Sequence, residues 1–268
     1  DAVIVEPEEH CLTQYALKCV RRGLPIHMDK PAGEDYESFH EILKTAKAKG
    51  VPVHMGYMYR YNPAIKHCVE LVKAGKLGEI LSVETAMNTG HPDNFRTWIG
   101  TFKAGSMYIF GCHMIDLILT IQGMPKRILP FQKKTFIHGI DVNDSGFALL
   151  EYEKGYSSVR INSAMVNGWG QRQLLVNGTE GTFEIKPLEN PIIASISTQD
   201  MVESPFRNCK QPLEFKEKGR YDDMMLEFAE MVAEGKPNPY PFAYELALHR
   251  AHLIACGEPL EWKGAPKL

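Results

Sequence analysis

Asp29-Lys30-Pro31 closes a short apolar run, Pro25 to Met28, with an ammonium immediately ahead of a proline. Proline cannot donate to a strand ladder and fixes its own φ, so the lysine before it is presented by a stiff turn. An ammonium held there can hydrogen-bond a hydroxyl or carbonyl oxygen and stabilise negative charge developing on it; read by residue type alone it is a solvated surface lysine. Gly111-Cys112-His113-Met114-Ile115-Asp116 sets an imidazole into an otherwise apolar segment. His113 is either a satisfied core residue or a general base. Asp116 falls on the same helical face and could fix the imidazole tautomer and raise its basicity.

Two further clusters flank these. Glu6-Pro7-Glu8-Glu9-His10 forms the turn after the first apolar run. The helix that follows offers free N–H groups to an anion, while Glu8 and Glu9 are accounted for by its dipole. Gly56-Tyr57-Met58-Tyr59-Arg60-Tyr61-Asn62 surrounds one arginine with aromatic rings, which suits an anionic or stacked ligand and a packing corner between domains equally well.

The elements that must position these residues alternate. Ala2 to Val5 is a β-branched run without polar alternation, as in a strand buried on both faces. Glu8 to Arg22 carries Leu12, Tyr15, Ala16, Cys19 and Val20 at helical spacing, with Gly23 just past its end. Pro25 to Met28, Asp35 to Lys49 and Val51 to Met55 repeat the strand–helix–strand pattern. Such alternation predicts a parallel sheet with right-handed crossovers, part of a doubly wound α/β domain over 1–62. From Pro63 the pattern changes to a helix (63–74), a long strand (80–87), a Gly/Pro/Asn-rich loop (88–105), the apolar helix Ser106 to Gln122, and strand-like runs from Ile128 to Ile185 joined by short turns. Antiparallel pairing suits those runs, so 63–268 reads as an α+β domain. Pro187 to Gly219 reads as irregular, followed by helices at Tyr221–Ala233 and at 242–256, the last able to pack back on the first domain.

Composition limits the partners. With 30 basic and 33 acidic residues, the chain lacks the positive bias that binding to a phosphate backbone needs. No run of about 18 apolar residues suggests a membrane span. Six cysteines without a C-x-x-C pair or a Cys/His metal spacing argue against a metal site or a disulfide framework. They predict a reducing, cytoplasmic setting.

Taken in order, Asp1-Ala-Val-Ile-Val, Pro7-x-x-His10, Asp29-Lys30-Pro31, Gly56 through Arg60 and Gly111-x-His113-x-x-Asp116 resemble the glucose-fructose oxidoreductase, inositol dehydrogenase and MocA (Gfo/Idh/MocA) family of NAD(P)-dependent oxidoreductases. The resemblance runs from the fourth strand of that family's Rossmann domain onward. It implies that about 60–90 residues carrying the Gly-rich turn lie outside this sequence, and that the Ala2 strand has an unpaired edge. It further implies an open, mostly antiparallel sheet in the second domain, used for homo-oligomer contacts.

By the same resemblance, Lys30 lies beside nicotinamide and substrate, and His113 is the acid/base, supported by Asp116 or Tyr108. Glu6, Pro7, His10, Asp29, Lys30 and Arg60 contact NAD or NADP. Two positions depart from the family: Asp29 stands where Glu is usual, and Ile109 where many members carry an aspartate. The implied activity is hydride transfer between a nicotinamide cofactor and a sugar, polyol or related carbohydrate. An NAD-dependent glycosidase and a non-catalytic sensor of the same fold are the alternatives. Either enzyme reading requires Lys30 and His113 to converge on one cleft.

Overall fold

The computed structural model describes residues 1–216 and 218–264. Three short strands, β1 (Val3–Val5), β2 (Ile26–Met28) and β3 (Val53–Met55), form a parallel sheet in that order. Helices α1 (Leu12–Arg21) and α2 (Tyr36–Lys49) connect them. Leu12, Ala16 and Val20 recur every fourth residue and are buried, as are Phe39, Ile42, Leu43 and Ala46 of α2, so each helix presents one apolar stripe. Asp35 caps α2 by accepting the Ser38 N–H at 2.8 Å, and Gly50 ends it in the left-handed region at φ 66°. β1 pairs with β2 alone and forms one edge of the sheet.

Asn62 then starts the next helix, accepting the Ala64 and Ile65 N–H groups ahead of Pro63 at the first turn of α3 (Pro63–Lys73). β4 (Ile80–Asn88) leads into a second sheet. With β5 (Arg127–Lys133), β6 (Ser145–Tyr152), β7 (Gly155–Asn162), β8 (Gln173–Gly178), β9 (Gly181–Ile185), β10 (Ala194–Thr198) and β11 (Gln211–Leu213), it makes eight strands in the order β11-β10-β9-β8-β4-β7-β6-β5. Every pair is antiparallel except β4 with β7. One face is covered by α5 (Ser106–Gln122), which is buried almost all round because it lies between β4, β6, β7 and the final helix. The other face leaves Phe131, Phe147 and Tyr156 exposed.

Two expectations are corrected. The loop over 88–105 contains a short helix, α4 (Asp93–Ile99), whose Arg96 is buried on Asp144 at 2.6 Å; its Gly/Pro-rich surroundings hide that one-sided burial. The irregular stretch 187–219 contributes β10 and β11, which extend the sheet by antiparallel pairing with β9. Helix α6 (Asp222–Glu234) follows. The last helix, α7 (Phe242–Ala255), reaches back to the first sheet's layer: His249 Nε2 lies 3.1 Å from the Asp35 carbonyl, and its ring meets Phe39 edge-on. Among the described residues no helix is long and apolar enough to cross a membrane, and no group of His, Cys, Asp and Glu is placed to hold a metal.

Candidate active site

The carboxyl ends of β1, β2 and β3 are tied together by their own backbone. The Asp29 N–H donates to the Val5 carbonyl at 3.1 Å and the Gly56 N–H to the Met28 carbonyl at 2.9 Å. Gly56 permits this approach, since a Cβ there would fall 2.9 Å from Asp29 Oδ1 and 3.3 Å from its Cα. Lys30 therefore leaves the sheet from a fixed edge, and its peptide bond to Pro31 is cis. The carboxyl edge of a parallel sheet is where doubly wound domains take ligands.

His113 comes from the middle of α5 and is 3% exposed. Its ring is held edge-on by Tyr59 at 5.4 Å and Tyr57 at 5.9 Å, both from the segment that follows β3. Nδ1 is buried and has no hydrogen-bond partner among the described residues. Burial first, and then the charges of Lys30, Arg220, Arg172 and Arg60, hold the imidazole well below its ordinary pKa, so it is neutral at physiological pH.

Lys30 and His113 line the same cavity, of 540 Å³, together with Glu6 and Asp29. The two sheets thus bring a cation and a neutral imidazole to one cleft. Pro7, His10, Arg60 and Asp116 do not line it. His10 instead stacks on Phe102 at 4.4 Å, with Nδ1 2.9 Å from Glu34 Oε2.

Asp116 does not support His113. Its carboxylate takes two bonds from Arg60, Nε at 2.8 Å and Nη2 at 2.7 Å, and a third from the Tyr244 hydroxyl at 2.8 Å. Arg60 also binds Glu245, Nη1 to Oε1 at 2.6 Å, and lies 3.6 Å over the Tyr240 ring. A buried guanidinium needs carboxylates more than a neutral imidazole does, so the expected His113–Asp116 pair gives way to an Arg60 strut joining the β3–α3 connection, α5 and α7. This also takes Arg60 away from the expected cofactor role. Tyr108 stacks between Phe102 and His252 and is not part of the cavity lining.

Sequence reasoning misses the opposite wall: His91, Trp169, Arg172 and Arg220. Arg172 lies 3.6 Å over the Trp169 ring and donates to Glu189 Oε1 at 2.8 Å and to the Tyr59 hydroxyl at 3.1 Å. These residues come from the loop after β4, the β7–β8 turn and the approach to α6. Only Trp169 between Gly168 and Gly170, three residues before Arg172, is a local signal.

Residues 65–184 match a family model described as the GFO/IDH/MocA C-terminal domain. D-xylose 1-dehydrogenase (NADP(+)) 2 of Haloferax volcanii is 26% identical over 192 residues, 71% of this chain and 58% of that protein. Inositol 2-dehydrogenase 2 of Saccharopolyspora erythraea is 25% identical over 159 residues, 58% of this chain and 45% of that one. The chain spans about half the length of the curated relatives it matches. Among solved structures, levoglucosan dehydrogenase in complex with NADH and levoglucosan overlays on 99% of this chain and 80% of its own, with TM-score 0.82 at 16% identity. Aldose-aldose oxidoreductase from Caulobacter crescentus, complexed with glycerol, covers 96% of this chain and 77% of its own at TM-score 0.81 and 16% identity. Residues 65–184 thus match the GFO/IDH/MocA C-terminal domain, and the overlay shows that the fold, the three-stranded sheet included, is shared over nearly the whole chain.

Proposed function

We propose that this chain forms the substrate side of an NAD(P)-dependent oxidoreductase acting on a sugar or polyol. The observation that carries the reading is the convergence of Lys30 and His113 on one cavity at the carboxyl edge of a parallel sheet. The cavity fits the nicotinamide end of such a cofactor: it is large enough, Gly56 keeps the strand ends free of side chain, and a buried imidazole nitrogen there has no partner among the described residues. Glu6, Asp29 and Lys30 are the residues that would hold it, and when bound it supplies the hydride acceptor.

The chain's own residues do the rest. Neutral His113 takes the hydroxyl proton of the carbinol, and the ring edges of Tyr57 and Tyr59 fix its orientation. Lys30 donates a hydrogen bond to the same oxygen and offsets its negative charge as the proton leaves. Burial of His113 keeps competing water away from the imidazole. In the reducing direction both steps reverse, with the imidazolium as acid. The six free thiols fit a cytoplasmic setting, and exposed Phe131, Phe147 and Tyr156 fit self-association through the open sheet face.

The test is formation of reduced nicotinamide by the intact protein with NAD⁺ or NADP⁺ across a panel of aldoses, polyols and sugar acids. At least one should be oxidised, and His113→Ala should lower kcat by about 10²–10⁴. No turnover across the panel would sink the reading, and full activity in the variant would remove His113 from it.

A further inference from the structure

The far wall of the cavity holds more positive charge than its carboxylate can neutralise. Glu189 Oε1 already accepts from the Tyr59 hydroxyl at 2.5 Å and from Arg172 at 2.8 Å. Arg220 reaches the same carboxylate only at 3.4 Å, through Nη2 to Oε1 and Nε to Oε2. Those lengths are at the weak end for charge-assisted bonds. Two guanidiniums thus share one carboxylate, and Arg220 is the surplus one. It is about a third exposed, its guanidinium lies 5.9 Å from the Trp169 ring and 5.7 Å from the Tyr221 ring, and all three residues line the cavity. Across the cavity, on the strand-end wall, Lys30 forms no hydrogen bond or ion pair among the described residues. The lining carboxylates, Glu6 and Asp29, belong to the strand-end wall, not to this one. His91, also on the lining, leaves Nε2 buried and without a hydrogen-bond partner among the described residues.

We propose that the cavity selects a sugar bearing an anionic group, a carboxylate or phosphate, seated against Arg220 and Trp169 while its reacting carbinol lies between Lys30 and His113. This rests on the sugar-oxidoreductase reading and names its substrate class. A planar guanidinium beside an indole face recognises a carboxylated or phosphorylated pyranose twice, by paired hydrogen bonds and by ring stacking. The same anion would make His113 a better base. Burial and then four cations depress the imidazole, so a negative ligand in the cavity favours the imidazolium it must become.

Calorimetric titration of the protein with glucuronate, glucose 6-phosphate and glucose tests this. At least one anionic sugar should bind about tenfold or more tightly than glucose, as a charge-assisted pair implies; which of the two is tighter identifies the anion. Arg220→Gln, at a partly exposed position, should abolish the preference for the anionic sugar over glucose. Lys218→Gln, a nearby cation outside this cavity, should keep it. Equal binding of all three ligands would overturn the anionic class while leaving the sugar reading intact. Equal loss of preference in the two variants would show a general field and overturn the Arg220 assignment. Binding of none would remove the sugar reading, and this inference with it.

Discussion

His113 owes its neutral state first to burial and then to the field of Lys30, Arg220, Arg172 and Arg60. Removing one of those cations stabilises the imidazolium, so Lys30→Met should raise the His113 pKa toward its ordinary value. An NMR titration of the His113 ring protons reads this directly, without turnover. In kcat/KM the acid limb should move to higher pH while the maximum falls, since the oxyanion loses its donor. A His113 titration unchanged in the variant would put Lys30 too far away to share an oxygen with it. At this scale the sequence is most informative where chemistry is set locally. Pro31 fixes how Lys30 leaves its strand, and an apolar helix makes His113 conspicuous. It is least informative where partners are chosen in three dimensions. Helical spacing makes Asp116 a neighbour of His113 but cannot reveal that Arg60, from another segment, captures it. Arg172 and Arg220 meet Glu189 only after the second sheet and the approach to α6 have assembled.

The Arg60 strut sets how the elements around the cavity are held together. Its guanidinium, 3% exposed, ties the β3–α3 connection to Asp116 of α5 and Glu245 of α7. Burial raises the Glu245 pKa and the Arg60 charge opposes that rise. Arg60→Met leaves two buried carboxylates facing each other, at a cost of about 3–5 kcal/mol by the usual measure for breaking a buried pair. Glu245→Gln keeps the Arg60–Asp116 pair and should cost less. Urea unfolding of both variants checks the order, and equal midpoints would mean that the strut does not hold the elements together. Strand–helix alternation in 1–55 is legible because each element's apolar stripe lies within its own segment. Helix α4 is not, because only Asp144 across the fold explains why Arg96 is buried. Strands β10 and β11 are not, because they exist by pairing with β9 rather than by their own pattern.

Across the whole molecule, buried histidines couple stability to pH. Burial, with His54 beside it, lowers the His27 pKa to about 4; burial lowers His249 to about 4, opposed by the Asp35 carbonyl, and His252 to about 3, with His249 adding to the effect. His27 lies in the first sheet with its Nδ1 2.7 Å from that of His54, and His249 and His252 lie on α7. The folded chain therefore holds these three rings neutral where the unfolded chain, titrating near 6.5, begins to protonate them. Above that pH neither state binds the protons and their stabilisation is complete; as pH falls below 6.5 the unfolded state gains protons first, and stability is lost down to the folded values near 4 and 3. Each unit of depression is linked to about 1.4 kcal/mol, so a few titrating groups draw on much of a domain's usual stability of about 5–15 kcal/mol. Melting followed by circular dichroism should accordingly show a flat Tm above neutrality and a steep fall from about pH 6 downward. His252→Gln, which cannot titrate, should make that fall shallower even if it lowers Tm at neutral pH. An acid limb with the same slope in the variant would show that His252 is not held neutral by the fold.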